Sequence, residues 1–407
     1  MFSKKTIKDI DLNGKKVLLR ADYNVPLEDG QITDDYRIQK SLPTVKFLLE
    51  QGVTLIICSH LGRPKGVDSS LSLAPVAERL RQLLSKPVQF AHDCVGDEAA
   101  QAAGNLKPGE ILLLENLRFH SEEEANDNGF AGKLAANVGK DGIFVQDGFG
   151  VVHRAHASTV AITKHLPSVA GLLLEQEVDT ITEVMEHPDK PQLAIIGGAK
   201  IADKIDVLNR LVESADSIAI GGAMANTFLA AQGYDVGDSL YDKDQLETAK
   251  GVLAKFADQA VKRQFSYVIP TDGVTAKEIE ADAPTRVVEF SKDSSFLEPG
   301  EKILDIGPAS AERIGGLIQG VHSVIWNGTM GVTEEKPFTN GTETIIQALL
   351  GENGSKPSTF VGGGDTTGYL ESRKLVDKFD HVSTGGGASL DLMSGRPLPG
   401  VEALLPK

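Results

Sequence analysis

The sequence has two cysteines and one tryptophan in 407 residues, and it is short of positive charge, with 41 lysines and arginines against 57 acids. Cys58 and Cys94 cannot build a disulfide framework, and Cys58 lies in an apolar run, so buried thiols in a reducing compartment are expected. No stretch approaches the roughly 18 consecutive apolar residues that a membrane-spanning helix requires. The opening segment MFSKKTIKDIDLNGKK carries no apolar signal core, and a cytoplasmic, non-membrane protein is the expectation. The net charge of −16 argues against a nucleic-acid surface. Any anionic ligand must therefore be held by a local exception to the overall field. There is no G-x-x-x-x-G-K-[ST] phosphate loop, no G-x-G-x-x-G with an acid about 20 residues later, and no metal-type spacing of cysteine and histidine.

What is present suits ordinary cores: 41% of residues are hydrophobic and 24% charged, without a long polar tract or an internal repeat. The length exceeds one core and predicts two domains with a cleft. Short runs rich in Val, Ile and Leu, each followed by a polar or glycine-rich stretch and an amphipathic segment, predict α/β architecture with parallel sheets. Candidate strands in the first half are 16–20, 53–58, 110–114 and 142–146. In the second half they are 192–196, 217–220, 266–269, 323–326, 359–361 and 381–383. Between the halves, Leu174, Val178, Ile181 and Met185 recur at helical spacing and Pro188 and Pro191 end the run, so residues 171–187 read as a linker helix or as one more covering helix. The tail Arg396, Pro397, Leu398, Pro399, Gly400 is expected to form no regular element.

Ligands of open parallel sheets collect at the carboxyl ends of the strands. The first four strands are followed by Asp22-Tyr23-Asn24, by Ser59-His60-Leu61-Gly62-Arg63, by Glu115-Asn116-Leu117-Arg118, and by Asp147-Gly148 leading to His153 and Arg154. Arg37 follows a hairpin-like Glu28-Asp29-Gly30 turn. One such arginine is ordinarily a solvated surface charge. Several in corresponding loops imply a small polyanion, because guanidinium forks bind carboxylate and phosphate and repel one another without it. His153 and His156 read more simply as packing around Arg154.

The second half uses a different vocabulary: Gly197-Gly198-Ala199-Lys200, Gly221-Gly222, Gly362-Gly363-Gly364-Asp365-Thr366, and Thr384-Gly385-Gly386-Gly387. Such glycines let backbone amides approach a phosphate. Lys200 and Lys204 are expected on one face of a first helical turn, where the macrodipole disfavours each cation by roughly 0.3–1 kcal/mol and an anion would compensate. Asp365 suits either a helix N-cap or a Mg²⁺ ligand beside a phosphate. A small anion on one domain and a nucleotide on the other imply transfer between them.

The stretches RADYNVPL from Arg20, SHLGRP from Ser59, LLENLRF from Leu113, DGFGVVHRAH from Asp147, GGAKIADK from Gly197, WNGTMGV from Trp326, GGGDT from Gly362 and STGGGAS from Ser383 together resemble the phosphoglycerate kinase family nearly end to end. The resemblance implies two Rossmann-like domains, each a parallel sheet covered by helices, joined by a hinge helix at 171–187. Residues 1–170 with the tail 390–407 would bind phosphoglycerate, and 188–389 would bind nucleotide. It implies a monomeric cytoplasmic enzyme of glycolysis that interconverts 1,3-bisphosphoglycerate and ADP with 3-phosphoglycerate and ATP, using Mg²⁺. Asp22, Asn24, Arg37, His60, Arg63, Arg118 and Arg154 would hold the acid. Lys200, Lys204, Gly222, Asn327, Glu334, Gly363, Gly364, Asp365 and Thr366 would hold the nucleotide, with Glu334 on the ribose and Asp365 on the metal. Arg37, Lys200 and the amides around Gly364 and Gly387 would face the moving phosphoryl group. The family usually reads WNGPVGVFE where this chain has Thr329, Met330 and Thr333, which predicts a looser turn beside the nucleotide. Gly148, Val151 and Val152 also depart from the family's usual Ala, Thr and Ala. The alternatives are a two-domain anion-binding protein without catalysis and a nicotinamide-dependent dehydrogenase. The first leaves Lys200 and Asp365 without a use, and the second lacks its dinucleotide fingerprint.

Overall fold

The computed structural model describes residues 2–351 and 356–407. The chain divides into two compact units, Met1–Thr180 with Gly395–Lys407, and Ile181–Ser394.

The first unit begins with strand β1 (Lys16–Arg20), a two-stranded ribbon β2 (Leu27–Glu28) and β3 (Gln31–Ile32), helix α1 (Tyr36–Glu50), β4 (Thr54–Cys58) and α2 (Ala74–Leu84). It continues through β5 (Val88–Ala91), α3 (Asp97–Asn105), β6 (Ile111–Leu114), α4 (Ser121–Glu124), α5 (Asn128–Ala136), β7 (Ile143–Gln146) and β8 (Ser168–Ala170). Six strands form one sheet in the order β5-β6-β4-β1-β7-β8, every pairing parallel. Side chains alternate between its faces, as the strand period of two requires. Val17, Leu19, Leu55, Ile57 and Leu113 pack with Val45 and Leu48 of α1 and Leu80 of α2. Leu18, Ile56, Cys58, Leu112 and Phe144 pack with Ala99 of α3 and Phe130 and Leu134 of α5. Because both faces are covered, β1, β4, β6 and β7 read as continuous apolar runs and were legible, whereas the edge strands β5 and β8 are absent from the sequence reading.

Helix α6 (Leu172–Glu186) carries the division between the units, which falls at Thr180 and Ile181. Its start is built into the first unit. Asp147 Oδ1 accepts the Leu173 and Leu174 amides at 2.9 and 3.2 Å, and Thr44 Oγ1 accepts that of Leu172 at 3.0 Å. A Cβ on Gly171 would lie 2.2 Å from Asp147 Oδ1, so only glycine permits this approach.

The second unit contains β9 (Gln192–Ile196), α7 (Ile205–Ser214), β10 (Ser217–Ile220), α8 (Gly222–Ala231), α9 (Leu246–Lys262), β11 (Ser266–Val268), β12 (Asp272–Ala276), β13 (Arg286–Glu289) and β14 (Lys302–Ile306). There follow α10 (Pro308–Ile318), β15 (Ser323–Asn327), α11 (Asn340–Leu350), β16 (Ser358–Gly362), α12 (Gly364–Ser372), β17 (His381–Val382) and α13 (Gly386–Met393). A parallel sheet runs β11-β10-β9-β15-β16-β17, and β13-β12-β14 form a small antiparallel sheet absent from the sequence reading. Strand β13 buries only Val288 of its four residues, which left no recognisable apolar run.

The tail corrects its expectation. Residues Pro399–Glu402 form one helical turn, α14, with Pro399 at its start, where its fixed φ and missing N–H suit a helix. The turn lies on the first unit, with the Gly400 amide on Val152 O at 2.9 Å and Leu398 and Val401 buried.

Candidate active site

In the first unit, the loops that leave β1, β4 and β6 are tied to one another by side chains. Asp22, two residues past β1, accepts Arg37 Nη1 of α1 on Oδ2 at 2.8 Å and the Asn24 amide on Oδ1 at 3.1 Å. Asn24 Oδ1 accepts the Gly62 amide at 2.8 Å, and the Gly62 carbonyl accepts Arg118 Nη1 at 2.7 Å. His60 Nδ1 lies 3.9 Å from Asp22 Oδ1 and 3.3 Å from Arg20 Nη2. Burial opposes ionisation of Asp22, but the cations Arg37 and Arg20 prevail and hold its carboxyl below the ordinary range. Burial pushes His60 well below the usual imidazole range; Asp22 offsets part of this, while Arg20, Arg118 and Arg37 add to it, so the ring is neutral at pH 7.

Arg118 is buried at 5% exposure. Its Nε lies 3.1 Å from Glu124 Oε1 without hydrogen-bond alignment, and its Nη2 has no protein partner among the described residues. Burial and the neighbouring Arg20 and Arg154 disfavour its charge, and only Glu124 and Glu123 oppose them. A buried guanidinium with unspent donors beside other cations is an anion site in its physical chemistry. Arg154 is half-buried and Arg63 exposed, and neither guanidinium has a hydrogen-bond or ion-pair partner among the described residues. The structure therefore joins Asp22, Asn24, Arg37, His60 and Arg118 by contact and brings Arg154 into the same field, while Arg63 sits one residue beyond Gly62 with no polar link to them among the described residues.

Sequence reasoning overlooked what lies beneath. Arg20 is fully buried, with Nε on Ser158 Oγ at 2.8 Å and Nη2 4.0 Å from Glu123, whose carboxylate also accepts the Ser158 amide and hydroxyl at 2.9 and 2.5 Å. His156 is buried 3.9 Å from Glu123, and burial and the adjacent arginines depress it to about 4, which agrees with a packing role. Glu123 is the middle of Glu122-Glu123-Glu124, a run that reads as a solvated face, and nothing in the run singles out the one acid that points inward.

In the second unit the loops after β9, β10 and β15 are stitched through backbone. Gly197 N reaches Asn327 O at 2.9 Å, Gly198 N reaches Thr329 O at 3.1 Å, and Gly222 N reaches Met330 O at 2.9 Å. The fit needs glycine: a Cβ on Gly222 would lie 2.4 Å from Gly198 N, and Gly222 also has φ +64°. Helices α12 and α13 start from glycine caps, Gly363 and Gly385, with no side chain closing their first turns. The two starts adjoin, since a Cβ on Gly386 would be 3.9 Å from Gly364 N. Their first-turn amides have no side-chain cap and their dipoles favour an anion there, and Gly364 and Gly387 lie in those turns. Beside them, neither the oxygen nor the nitrogen of the buried Asn327 amide has a hydrogen-bond partner among the described residues. It faces Gly362 and Gly363, where Cβ atoms would come within 3.2–3.5 Å.

Several expectations change here. Helix α7 begins at Ile205, so Lys200 lies in an exposed loop and Lys204 caps the helix; the Gly-Gly approach displaces the helix start by a turn. The Lys204 ammonium donates to Gly197 O at 2.6 Å and Asn327 O at 2.9 Å, and burial, against the pull of Asp365 and Asp203, lowers it to about 8. Asp365 is not an N-cap: Gly363 holds that position, and Asp365 is exposed one residue into α12. Thr366 is buried and its hydroxyl accepts the Gly328 amide at 2.9 Å. Glu334 is exposed in a turn without a partner among the described residues. The turn expected to be loose is pinned instead, by Thr329 Oγ1 on Gly331 O at 3.0 Å, by Met330 N on Thr342 Oγ1 at 3.0 Å, and by the buried Met330 side chain against Gly197 and Gly221.

A family model described as Phosphoglycerate kinase matches residues 7–396. The chain belongs to the phosphoglycerate kinase family. It is 47% identical over 407 residues to the phosphoglycerate kinase of Moorella thermoacetica, covering 100% of both, and 49% identical over 406 residues to that of Roseiflexus sp., covering 99% of both. Among solved structures it resembles phosphoglycerate kinase from Coxiella burnetii (TM-score 0.81, 35% identity, 98% of each chain). It also resembles the enzyme from Pyrococcus horikoshii (TM-score 0.83, 28% identity, 99% of this chain and 98% of the other). For a phosphoglycerate kinase, the two constructions described above are complementary, one made of guanidinium forks and the other of helix N-termini.

Proposed function

We propose that this chain is the glycolytic kinase that moves a phosphoryl group reversibly between 1,3-bisphosphoglycerate and ADP, giving 3-phosphoglycerate and ATP. The observation that carries the reading is the buried Arg118 guanidinium, whose Nη2 is unspent beside Arg154, Arg20 and His60. These donors match the carboxylate and phosphate of a small acid, held with Asp22, Asn24, Arg37 and Arg63. The nucleotide phosphates would lie on the α12 and α13 amides near Gly364 and Gly387, with Asn327 turned toward them and Lys200 free in its loop to reach the transferred group. Lys204 and Gly222 would act by holding the loops together. Glu334 would meet the ribose.

Asp365 fits a Mg²⁺ ion that is bound chiefly by nucleotide phosphates and water: one exposed carboxylate at a helix start, with no three-acid cage around it among the described residues. When bound, the ion would neutralise charge on those phosphates. The acceptor, whether a carboxylate or an ADP oxygen, is ionised at neutral pH, so no general base is needed. The protein's contribution is alignment and charge neutralisation. Arg37, aligned by Asp22, and Lys200 supply cationic donors, and the helix amides supply neutral ones. The two bound substrates must be brought face to face with water excluded, and α6, which carries the division between the units, is the proposed hinge. A cytoplasmic monomer is part of the same proposal; among the described residues no helix is long and apolar enough to cross a membrane.

The deciding assay supplies 3-phosphoglycerate and MgATP, coupled to removal of 1,3-bisphosphoglycerate. Absence of turnover from folded protein would leave only an anion-binding role. Arg37→Ala and Lys200→Ala should each lower kcat by orders of magnitude with folding intact, and rates near wild type would end their assignment to the moving group.

A further inference from the structure

Outside the site, the segment after β5 and the turn after β6 bring three chemically different donors together. The ligand atoms of Asp93, Cys94 and His120 all lie within 4.8 Å of one another, the only such group of three or more His, Cys, Asp or Glu among the described residues. Asp93 Oδ1 is held by the Cys94 amide at 2.6 Å and faces His120 Nε2 at 2.7 Å. Cys94 is buried, and Asn137 Nδ2 anchors its carbonyl at 3.0 Å. The His120 ring lies against Phe130, centroids 5.3 Å apart, which sets its plane. His120 also lines an open cavity of about 460 Å³ with Pro64, Lys65, Phe119, Glu122 and Glu124, so an ion has a path to it.

We infer that Asp93, Cys94 and His120 form a binding site for a borderline-soft divalent cation such as Zn²⁺, distinct from the hard Mg²⁺ of the nucleotide. One carboxylate, one thiol and one imidazole match the ligand preferences of zinc and not of magnesium, and three protein ligands leave the fourth tetrahedral position to water. Zinc bonds of about 2.0–2.2 Å to nitrogen and oxygen require the Asp93 and His120 atoms to part by roughly half an ångström or more from their present hydrogen bond. The His120 side chain is 29% exposed and able to swing outward. On binding, the Cys94 thiol releases its proton to solvent, Asp93 ligates as its carboxylate, and neutral His120 ligates through the Nε2 lone pair, its single ring proton passing through solvent from Nε2 to Nδ1. Because His120 lies two residues beyond Arg118, occupancy would also restrain the turn that carries that guanidinium.

The test titrates Co²⁺ into the full-length, nucleotide-free protein and follows thiolate-to-cobalt charge-transfer absorption in the near ultraviolet, then adds Zn²⁺. The expected result is a band that saturates at one equivalent and is removed by zinc. It should be lost in Cys94→Ser and kept in Cys58→Ser, the chain having no other cysteine. His120→Gln should weaken cobalt about tenfold or more. No band, or a band that survives Cys94→Ser, overturns the inference. Should Cys94→Ser lose its native circular dichroism, His120→Gln decides, and unchanged cobalt affinity in that variant overturns the inference equally.

Discussion

Replacing Gly197 with alanine tests whether the packed backbone at the end of β9 governs nucleotide binding. The new Cβ would stand 2.2 Å from Thr329 O and 2.8 Å from Gly328 O, both main-chain atoms that no rotamer change can move. Restoring an ordinary contact of 3.4 Å to Thr329 O requires a separation of 1.2 Å (3.4 − 2.2). That shift would break the 3.1 Å bond between Gly198 N and Thr329 O and would displace Asn327 and Gly328 from the α12 start. Overpacking of this kind costs about 1–3 kcal/mol. In a unit of this size each kcal/mol lowers the melting temperature by about 2–4 °C. A misplacement of about 1 Å near reacting groups costs on the order of 100-fold in rate. Initial rates with MgATP varied at saturating 3-phosphoglycerate should show a raised nucleotide KM and a kcat reduced by about that factor. The acid KM should hold, because Arg118 and Asp22 belong to the other unit. Wild-type nucleotide kinetics with an unchanged melting temperature would refute the steric reasoning.

Arg118→Met should lower kcat/KM for the acid roughly 10- to 100-fold, the worth of about 1.5–3 kcal/mol in charge-assisted hydrogen bonding, while leaving the nucleotide KM and the melting temperature in place; an unaltered acid kcat/KM would count against the anion site. Burial, opposed by hydrogen bonds from Thr44, Leu174 and Leu173, raises Asp147 from 3.8 to about 7, so between those values the folded state holds a proton the unfolded state has lost, and stability falls as pH rises through this window. The shift of about 3 units sets a ceiling near 4 kcal/mol, and Asp147→Asn, neutral throughout and still an acceptor for α6, should melt higher than wild type at pH 8 and show a shallower decline from pH 5; parallel pH profiles would disprove this. Asp365→Asn, altering an exposed side chain, should leave melting unchanged and raise the Mg²⁺ needed for half-maximal rate about tenfold; the same Mg²⁺ dependence as wild type would remove Asp365 from the metal.

The class of fold was legible because a parallel sheet covered on both faces needs continuous apolar strands, and the runs at Lys16, Thr54, Ile111, Gln192 and Ser323 are of that kind. The site was legible as residue types after those strands: guanidinium-bearing loops in one half, glycine runs in the other. Resemblance, rather than residue chemistry, named the anion. Polar burial escaped both. Glu123 is indistinguishable in sequence from its solvated neighbours, yet it lies buried near Arg20. Lys204 carries the charge of a phosphate ligand, yet its ammonium is engaged by two carbonyls that only the parallel pairing of β9 and β15 brings together. Thr329 looks like the loss of a stiffening proline, yet its hydroxyl closes the turn.

Local sequence alone determined the alternation of strand and helix, the glycine runs after the later strands and the arginines placed after the earlier ones, because these depend on side-chain period and backbone freedom within a few residues. Tertiary structure decided which charges are spent and which remain available to a ligand. Arg37 is engaged by Asp22 and Lys204 by main-chain carbonyls, while among the described residues Arg118 keeps an unpaired donor and Asn327 an unpaired amide. Partners far apart in the chain set that accounting, and the free energy of a buried polar group depends on whether such a partner arrives.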